Sequence, residues 1–138
     1  MSDMDDFNKG VIEEFRANHG KVGGGFAGAP VVLLTTTGAK SGATRVNPLV
    51  ALVEGDDLYV FASKAGAPTN PDWYHNLVAN PQVEVEFGDD RFTATAVPIT
   101  SGPERDRLYA AQVALQPGFA DYEKATTRVI PAVELRRA

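Results

Sequence analysis

Apolar and β-branched residues predict three strands in the first half of the chain. The run VVLLTTT (31–37) is continuously apolar or β-branched, which predicts a strand buried on both faces. RVNPLVALVEG (45–55) predicts a second strand, and its Pro48 suggests a sheet edge or a bulge, because proline cannot donate a hydrogen bond to a ladder. DLYVFAS (57–63) is interpreted as an alternating strand after a short turn. We expect these three strands to form a meander.

Three further strands are predicted in the second half. QVEVEFG (82–88) alternates apolar with polar residues, which is typical of a strand with one solvent-facing side. It is followed by two aspartates and RFTATAVPI (91–99), and the two segments together predict a hairpin. TRVIPAVELRRA (127–138) predicts a last strand, for which Pro131 suggests an edge position. The count is about six strands.

Helical patterns lie at the start of the chain and between the strands. Residues 3–18 have a narrow apolar stripe at helical spacing, and Gly20 follows it as a stop signal. This helix is interpreted as packed on the domain, with a lid or a membrane-surface helix as alternatives. The glycine-dense stretch 21–30 is interpreted as a flexible linker, with a mobile flap over a ligand as its alternative.

Two shorter helices are predicted further along. NPDWYHNLVANP (70–81) predicts a helix of about two turns, with Asn70 as its N-cap. Ser101 and Glu104 suggest a capping-box-like start for a second helix, which ends before Pro117. Strands joined by short turns, with helices inserted between them, favour a mainly β (α+β) fold in which an antiparallel barrel closes around the core.

Composition bounds the class of protein. The chain has 138 residues, of which 43% are hydrophobic and 22% are charged, and this balance predicts one domain over 1–138. The net charge of -5 argues against a nucleic-acid partner, which would need a basic surface. No apolar run is long enough for a membrane span, and the N-terminus is acidic where a secretory signal would be basic, so we expect a cytoplasmic location.

Familiar catalytic motifs are missing from the sequence. There is no cysteine, so disulfides, thiolate metal sites and cysteine nucleophiles are excluded. His19 and His75 do not have the spacing of metal ligands, and we expect no metal. The glycine patterns of nucleophile elbows, dinucleotide-binding turns and P-loops are also absent.

Cations are concentrated in one acidic part of the chain. Between residues 22 and 90 the only cations are Lys40, Arg45 and Lys64, against eight carboxylates. The small residues of TTTGAKSGATRVNPLV (35–50) would let backbone N–H groups approach an anion, while a lysine and an arginine supply charge. The pattern indicates an anion clamp or, equally, an ordinary solvated turn.

Trp73, the one tryptophan, could form the wall of a planar ligand site or anchor its helix to the barrel. It lies within the second of two blocks, TTTGAKSGATRVNPL and ASKAGAPTNPDWYHNLVANPQVEV, that resemble the deazaflavin-dependent nitroreductase family of flavin/deazaflavin oxidoreductases. The resemblance runs from about Phe7 to Pro131. It implies a split β-barrel that binds coenzyme F-420, a deazaflavin whose tail carries a phosphate and glutamates.

The resemblance also implies roles for individual residues. Reduced deazaflavin delivers a hydride to an electron-poor acceptor such as an enone, a quinone or a nitro compound. Ser63 and Tyr122 are expected to be the catalytic hydroxyls. The positions that match the cofactor-binding blocks are Lys40, Ser41, Gly42, Arg45, Asn47, Pro48, Ala62, Ser63, Lys64, Trp73 and Asn76.

The sequence departs from the nitroimidazole-activating members in its expected substrate pocket. Those members carry a tyrosine directly after NPL and several more near the C-terminal short helix. The corresponding residues here are Val50, Gln116, Phe119 and the retained Tyr122. Because three of the four hydroxyls are lost, we expect an enone or quinone acceptor rather than a nitroimidazole.

Two alternatives differ from an F-420-dependent reductase. A carrier protein would hold deazaflavin without turning over a substrate, and an FMN-dependent reductase would have the same fold with a different cofactor. The expected partner is a small-molecule hydride acceptor. A homodimer is also expected if the protein follows other barrels of this kind.

Overall fold

The computed structural model describes residues 3–24 and 28–137, and only the backbone of residues 3–6 and 65. Part of the predicted linker 21–30 lies outside the described residues. The helices and strands, in chain order, are α1 (Asp3–Ala17), β1 (Val31–Thr37), β2 (Thr44–Val50), β3 (Leu52–Glu54), β4 (Asp57–Phe61), a 3₁₀ turn (Lys64–Gly66), α2 (Asp72–Ala79), β5 (Gln82–Phe87), β6 (Asp90–Ile99), α3 (Pro103–Leu115), α4 (Gly118–Lys124) and β7 (Ala132–Arg137).

The strands form one antiparallel sheet of seven strands in the order β2-β1-β5-β6-β7-β4-β3. β2 and β3 lie at opposite edges of this sheet, although Ala51 alone separates them in the chain. The sheet must therefore curl until its two edges approach each other, which is the geometry of a barrel. The break also explains why seven strands are found where about six were expected.

The predicted meander is wrong. Among the described residues β2 pairs with β1 alone, and β3 pairs with β4 at the other edge of the sheet. The N–H of Ala51 donates to the carbonyl of Pro30 at 2.9 Å instead of continuing the ladder, and at this residue the chain passes from one edge to the other. The edge position suggested by Pro48 is confirmed, because β2 stands at one end of the order of described strands, beside β1.

The edge position suggested by Pro131 is wrong. β7 lies inside the sheet, with β6 on one side and β4 on the other. Pro131 precedes the strand, and its carbonyl oxygen accepts a hydrogen bond from the N–H of Ala62 at 3.0 Å. A proline at this position interrupts no ladder, because only its carbonyl is used.

Both faces of β1 are buried, as its sequence predicts. Val32 and Leu34 point into the barrel core, whereas Leu33 packs against Phe15 of α1. β4 differs from its predicted alternation, because every residue from Leu58 to Phe61 is buried. α3 covers the second face of β4, and its residues Leu108 and Tyr109 join Tyr59 and Phe61 in one apolar cluster.

α1 packs on the domain through its second half. Val11 and Phe15 are buried, and Arg16 makes two hydrogen bonds to the carboxylate of Glu86 on β5. This confirms the interpretation of α1 as a packed helix. Across residues 3–24 and 28–137, none of the helices is both long and apolar enough to cross a membrane.

Two helix caps differ from those predicted. The N-cap of α2 is Pro71 rather than Asn70, because the Asn70 side chain accepts a hydrogen bond from Arg128 at 2.7 Å. The N-cap of α3 is Gly102, and no side chain caps this helix, so the capping box expected at Ser101 does not form. Pro103 begins α3 with its backbone already in helical geometry.

Candidate active site

An open cleft of about 230 Å³ lies where the ends of β2 and β4 meet α2 and α4. Seven of the residues predicted from the sequence line it, and they are Pro48, Val50, Ser63, Lys64, Trp73, Phe119 and Tyr122. Leu49 and Phe61 complete the lining and were not predicted. Most of this surface is apolar, and the cation Lys64 lies at its margin.

The backbone at Lys64 is strained. Its φ is 46°, in the left-handed region that residues with a Cβ atom rarely adopt. Such a conformation persists only when the surrounding structure holds it, and it is frequent at binding and catalytic sites. The Lys64 side chain is exposed, and its Nζ donates to Oγ1 of Thr69 at 3.3 Å.

Arg128 holds the segment that contains this strained residue. Its Nη2 donates to the carbonyl oxygens of Ala62 at 3.1 Å and Ser63 at 2.9 Å. Its Nε donates to the carbonyl of Ala67 at 2.9 Å, and its Nη1 donates to Oδ1 of Asn70 at 2.7 Å. Burial lowers the pKa of this guanidinium, which nevertheless keeps its charge at neutral pH. No pattern in the sequence predicted this role.

The cationic loop between β1 and β2 is a compact turn tied to α2. The N–H of Gly38 donates to the carbonyl of Ala43 at 2.7 Å, and a Cβ atom on Gly38 would lie 2.7 Å from Oγ of Ser41. Oδ1 of Asn76 accepts from the N–H of Ala39 at 3.1 Å. Since α2 also carries Trp73, the loop and one wall of the cleft are held by the same helix.

Three aromatic rings, those of Phe61, Phe119 and Tyr122, form the wall of the cleft on the side of α4. The Phe119 ring lies 5.1 Å from that of Tyr122 and 6.1 Å from that of Phe61, in edge-to-face contacts. Behind it, the Tyr109 hydroxyl donates to the carbonyl oxygen of Phe119 at 2.6 Å. Burial raises the pKa of Tyr109 to about 12, so this phenol stays protonated and keeps its donor at neutral pH.

Two predicted site residues differ in placement from what the sequence suggested. The Ala62 side chain is fully buried in the barrel core, and its carbonyl is bonded to Arg128, so the methyl group does not face the cleft. Gln116 ends α3 and is not part of the lining. Its carbonyl oxygen accepts from the N–H of Phe119 at 3.0 Å, so it shapes the turn that presents Phe119.

The remaining predicted residues are not part of the cleft lining. Lys40, Ser41, Gly42 and Arg45 are exposed on the β1–β2 hairpin, and Asn47 is half-buried in β2. Within the described part of the chain, Lys40, Arg45 and Lys64 form no ion pair with a carboxylate. Their charge is therefore available to an anion. No three of the described His, Asp and Glu residues come together as a metal site would require.

Comparison with known proteins identifies the family. The sequence model of the F420H(2)-dependent quinone reductase family matches residues 9–136. The chain belongs to this family. An F420H(2)-dependent quinone reductase of Mycobacterium tuberculosis is 40% identical over 128 residues, which cover 89% of this chain and 85% of the relative.

Two solved structures extend the similarity to three dimensions. One is an F420-H2 dependent reductase (FDR-A) with 41% identity and a TM-score of 0.71, over 78% of this chain and 94% of the other. A second, described as a domain-swapped dimer, has 34% identity and a TM-score of 0.73, over 98% of this chain and all of the other. The curled sheet is thus the predicted split barrel.

Membership of this quinone reductase family makes the protein an oxidoreductase with F-420 as its cofactor. The donor set fits such a molecule. An apolar cleft with a tryptophan suits a flat ring, and the cations Lys40, Arg45 and Lys64, which pair with none of the described carboxylates, suit the phosphate and carboxylates of its tail. Neither the FMN-dependent reductase nor the carrier protein explains the family match as well.

Proposed function

We propose that the protein reduces quinone-type acceptors in the cleft between β4, α2 and α4, and that Lys64 recruits the anionic tail of the cofactor. The observation that carries this proposal is the meeting of an apolar, aromatic cleft with a strained turn whose lysine has no carboxylate partner among the described residues. Bound reduced F-420 supplies the hydride. The chain itself supplies binding, orientation and exclusion of water.

Each wall of the cleft has its own task in this proposal. Pro48 and Trp73 form the apolar surface on which a planar ring packs. Lys40 and Arg45, on the hairpin that Asn76 ties to α2, extend the positive charge that begins at Lys64. Association that depends on such exposed charge weakens as salt is added.

The hydroxyls of Ser63 and Tyr122 are the polar groups that we assign to catalysis. Both residues line the cleft, and neither hydroxyl has a hydrogen-bond partner among the described residues. A hydroxyl that donates to the acceptor oxygen stabilises the negative charge that develops there. Phe61 and Phe119 restrict the access of water on the same side.

The apolar lining favours a quinone or an enone over a nitro compound. Val50 and Phe119 occupy lining positions at which hydroxyl-bearing residues would add donors for the two oxygens of a nitro group. A quinone presents a hydrophobic ring with single carbonyl oxygens, so one donor at a time is enough. We therefore expect turnover of naphthoquinones to exceed turnover of nitroimidazoles.

Titration of the purified protein with oxidised F-420 and with FMN, followed by fluorescence at low and moderate salt, tests the cofactor. We expect F-420 to bind more tightly than FMN and more weakly as salt rises. Lys64→Ala should weaken F-420 binding by about tenfold, whereas the exposed Lys9→Ala on α1 is the matched control and should change it little. Tighter binding of FMN would contradict the proposal.

Turnover tests the reaction itself. Oxidation of reduced F-420 is followed by absorbance with a naphthoquinone, a cyclic enone and a nitroimidazole as acceptors. The proposal expects the naphthoquinone or the enone to react fastest. Reduced F-420 that stays unchanged with every acceptor would favour a carrier protein, and fastest reduction of the nitroimidazole would contradict the acceptor class.

Pairing and location stay predictions from the sequence. A homodimer is supported by the 34% identical structure described as a domain-swapped dimer. Light scattering coupled to size exclusion gives the mass in solution, and a mass near the 14.7 kDa of one chain would contradict the homodimer. A cytoplasmic location is still expected from composition.

A further inference from the structure

We propose that Arg128 is a positioning residue for the cofactor site, because it fixes the Ser63–Lys64 turn in the conformation that presents Lys64 to the tail of F-420. This role rests on the proposed function. It concerns a side chain that does not line the cleft and that no sequence motif marked.

The four hydrogen bonds of Arg128 hold both ends of one short segment. They reach acceptors at both ends of one segment: the carbonyls of Ala62 and Ser63 where β4 ends, and Ala67 and Asn70 before α2. The strained Lys64 lies between these two anchor points. A left-handed conformation is unfavourable for a residue with a Cβ atom, so the segment needs external restraint to keep it.

The planar guanidinium group of Arg128 restricts where its acceptors can lie. Its N–H groups are fixed in one plane, so holding four acceptors at once also fixes the distances between those acceptors. An ammonium group is a single point charge and cannot reproduce this arrangement. Lysine at position 128 would keep the positive charge but could not hold the four acceptors at fixed distances from one another.

The positive charge of Arg128 also contributes to the site. All four of its acceptors are neutral oxygens, and it forms no ion pair with a described carboxylate. The buried Arg105 differs from the half-buried Arg128 because it pairs with Asp106 at 3.1 Å and with Glu123 at 3.1 Å. The positive charge of Arg128 is therefore not compensated locally, and it adds to that of Lys64 beside the cleft.

The test separates tail binding from ring binding. Dissociation constants are measured for F-420 and for the same deazaflavin lacking the phosphate and glutamates, with the unaltered protein, Arg128→Lys, Arg128→Gln and the matched control Arg105→Lys. We expect both Arg128 variants to lose about tenfold in affinity for F-420 and less than about threefold for the tailless molecule. Arg105→Lys should leave the ratio of the two constants unchanged, even where its melting temperature falls equally.

A gentler variant covers the case in which the Arg128 variants do not fold. Asn70→Ala removes one acceptor and leaves the guanidinium with the three carbonyls, and we expect about a twofold to threefold loss that is confined to F-420. If the ratio of the two dissociation constants in Arg128→Lys or in Asn70→Ala equals that of the unaltered protein, the role of Arg128 is overturned and the proposed function is not affected. Failure of the unaltered protein to bind F-420 would overturn the proposed function, and this role with it.

Discussion

Gly66 lies directly against the backbone of Tyr122. A Cβ atom on Gly66 would lie 2.9 Å from the Tyr122 carbonyl oxygen and 2.7 Å from Cβ of Ala125. The 3₁₀ turn that contains Lys64 and the helix that contains Tyr122 are therefore packed without space between them. A shift in one must displace the other, so the two sides of the cleft behave as one unit.

Replacing Gly66 should impair both stability and turnover. Gly66→Ala meets backbone atoms and a φ of 81°, whereas Gly55→Ala, with a φ of 61°, has no atom within 4 Å of its new methyl group. Both substitutions should cost about 1 kcal/mol for the left-handed conformation, and Gly66→Ala about 1–3 kcal/mol more for the overlap.

Urea unfolding and quinone turnover measure this difference. We expect turnover to fall about tenfold in Gly66→Ala alone, because a displaced α4 misplaces Tyr122. Equal losses of stability and activity in the two variants would show that the close contact has no consequence.

Lys64→Gly should stabilise the fold and weaken cofactor binding. Glycine adopts a φ of 46° without the clash of a Cβ atom, so relief of strain should raise the free energy of unfolding by about 1 kcal/mol. The same change removes the ammonium group from the cleft. Paired measurements of urea unfolding and F-420 affinity check the trade-off, and lower stability with unchanged affinity would contradict both parts.

Hydroxyls added inside the cleft should shift acceptor preference towards nitro compounds. Val50→Tyr and Phe119→Tyr place a donor at lining positions, whereas Gln116→Tyr adds one outside the lining. We expect the ratio of nitroimidazole to naphthoquinone turnover to rise severalfold, by about 1 kcal/mol for each hydrogen bond gained, in the first two variants. A rise in Gln116→Tyr equal to theirs would argue against direct contact.

The buried Tyr109 hydroxyl should make stability sensitive to alkaline pH. The Tyr109 phenol ionises near its ordinary pKa of 10 in the unfolded protein, whereas its pKa in the folded protein is about 12. The contribution of this group to the free energy of unfolding is therefore fully present below pH 10 and is lost as the pH rises from 10 to 12. At pH 8, Tyr109→Phe should cost about 1 kcal/mol through the lost hydrogen bond to Phe119.

That cost should shrink as the pH rises. Urea unfolding of both proteins at pH 8, 10 and 11 measures it, and other tyrosines cancel in the difference. A difference that stays constant across this range would mean that the hydroxyl titrates normally in the folded protein.

Local patterns predicted the strands that depend on local contacts. The β5–β6 hairpin forms as expected, and Val83 and Val85 are buried between more exposed polar neighbours, whereas Phe87 is only half-buried. The break at Ala51 could not be found in this way, since apolar residues continue on both sides of it. The burial of β4 on both faces depends on α3, which comes some forty residues later.

The candidate site shows the same division. Residues within the motifs, such as Lys64 and Trp73, line the cleft, and their roles in cofactor binding stay predictions. Arg128 was interpreted as part of a strand, because its partners lie 58 to 66 residues away and no spacing in the sequence connects them. The missed cap at Asn70 has the same cause, since Arg128 takes the amide oxygen that would have capped α2.

The position of β7 constrains the order in which the sheet can fold during synthesis. Residues 132–137 lie between β6 and β4, so the two halves of the sheet join only through the last strand described. On the ribosome, β4 has no partner on that side until these residues emerge from the exit tunnel. The nascent chain therefore carries an unpaired β-edge until β7 has emerged, and the barrel can close only after that strand has inserted.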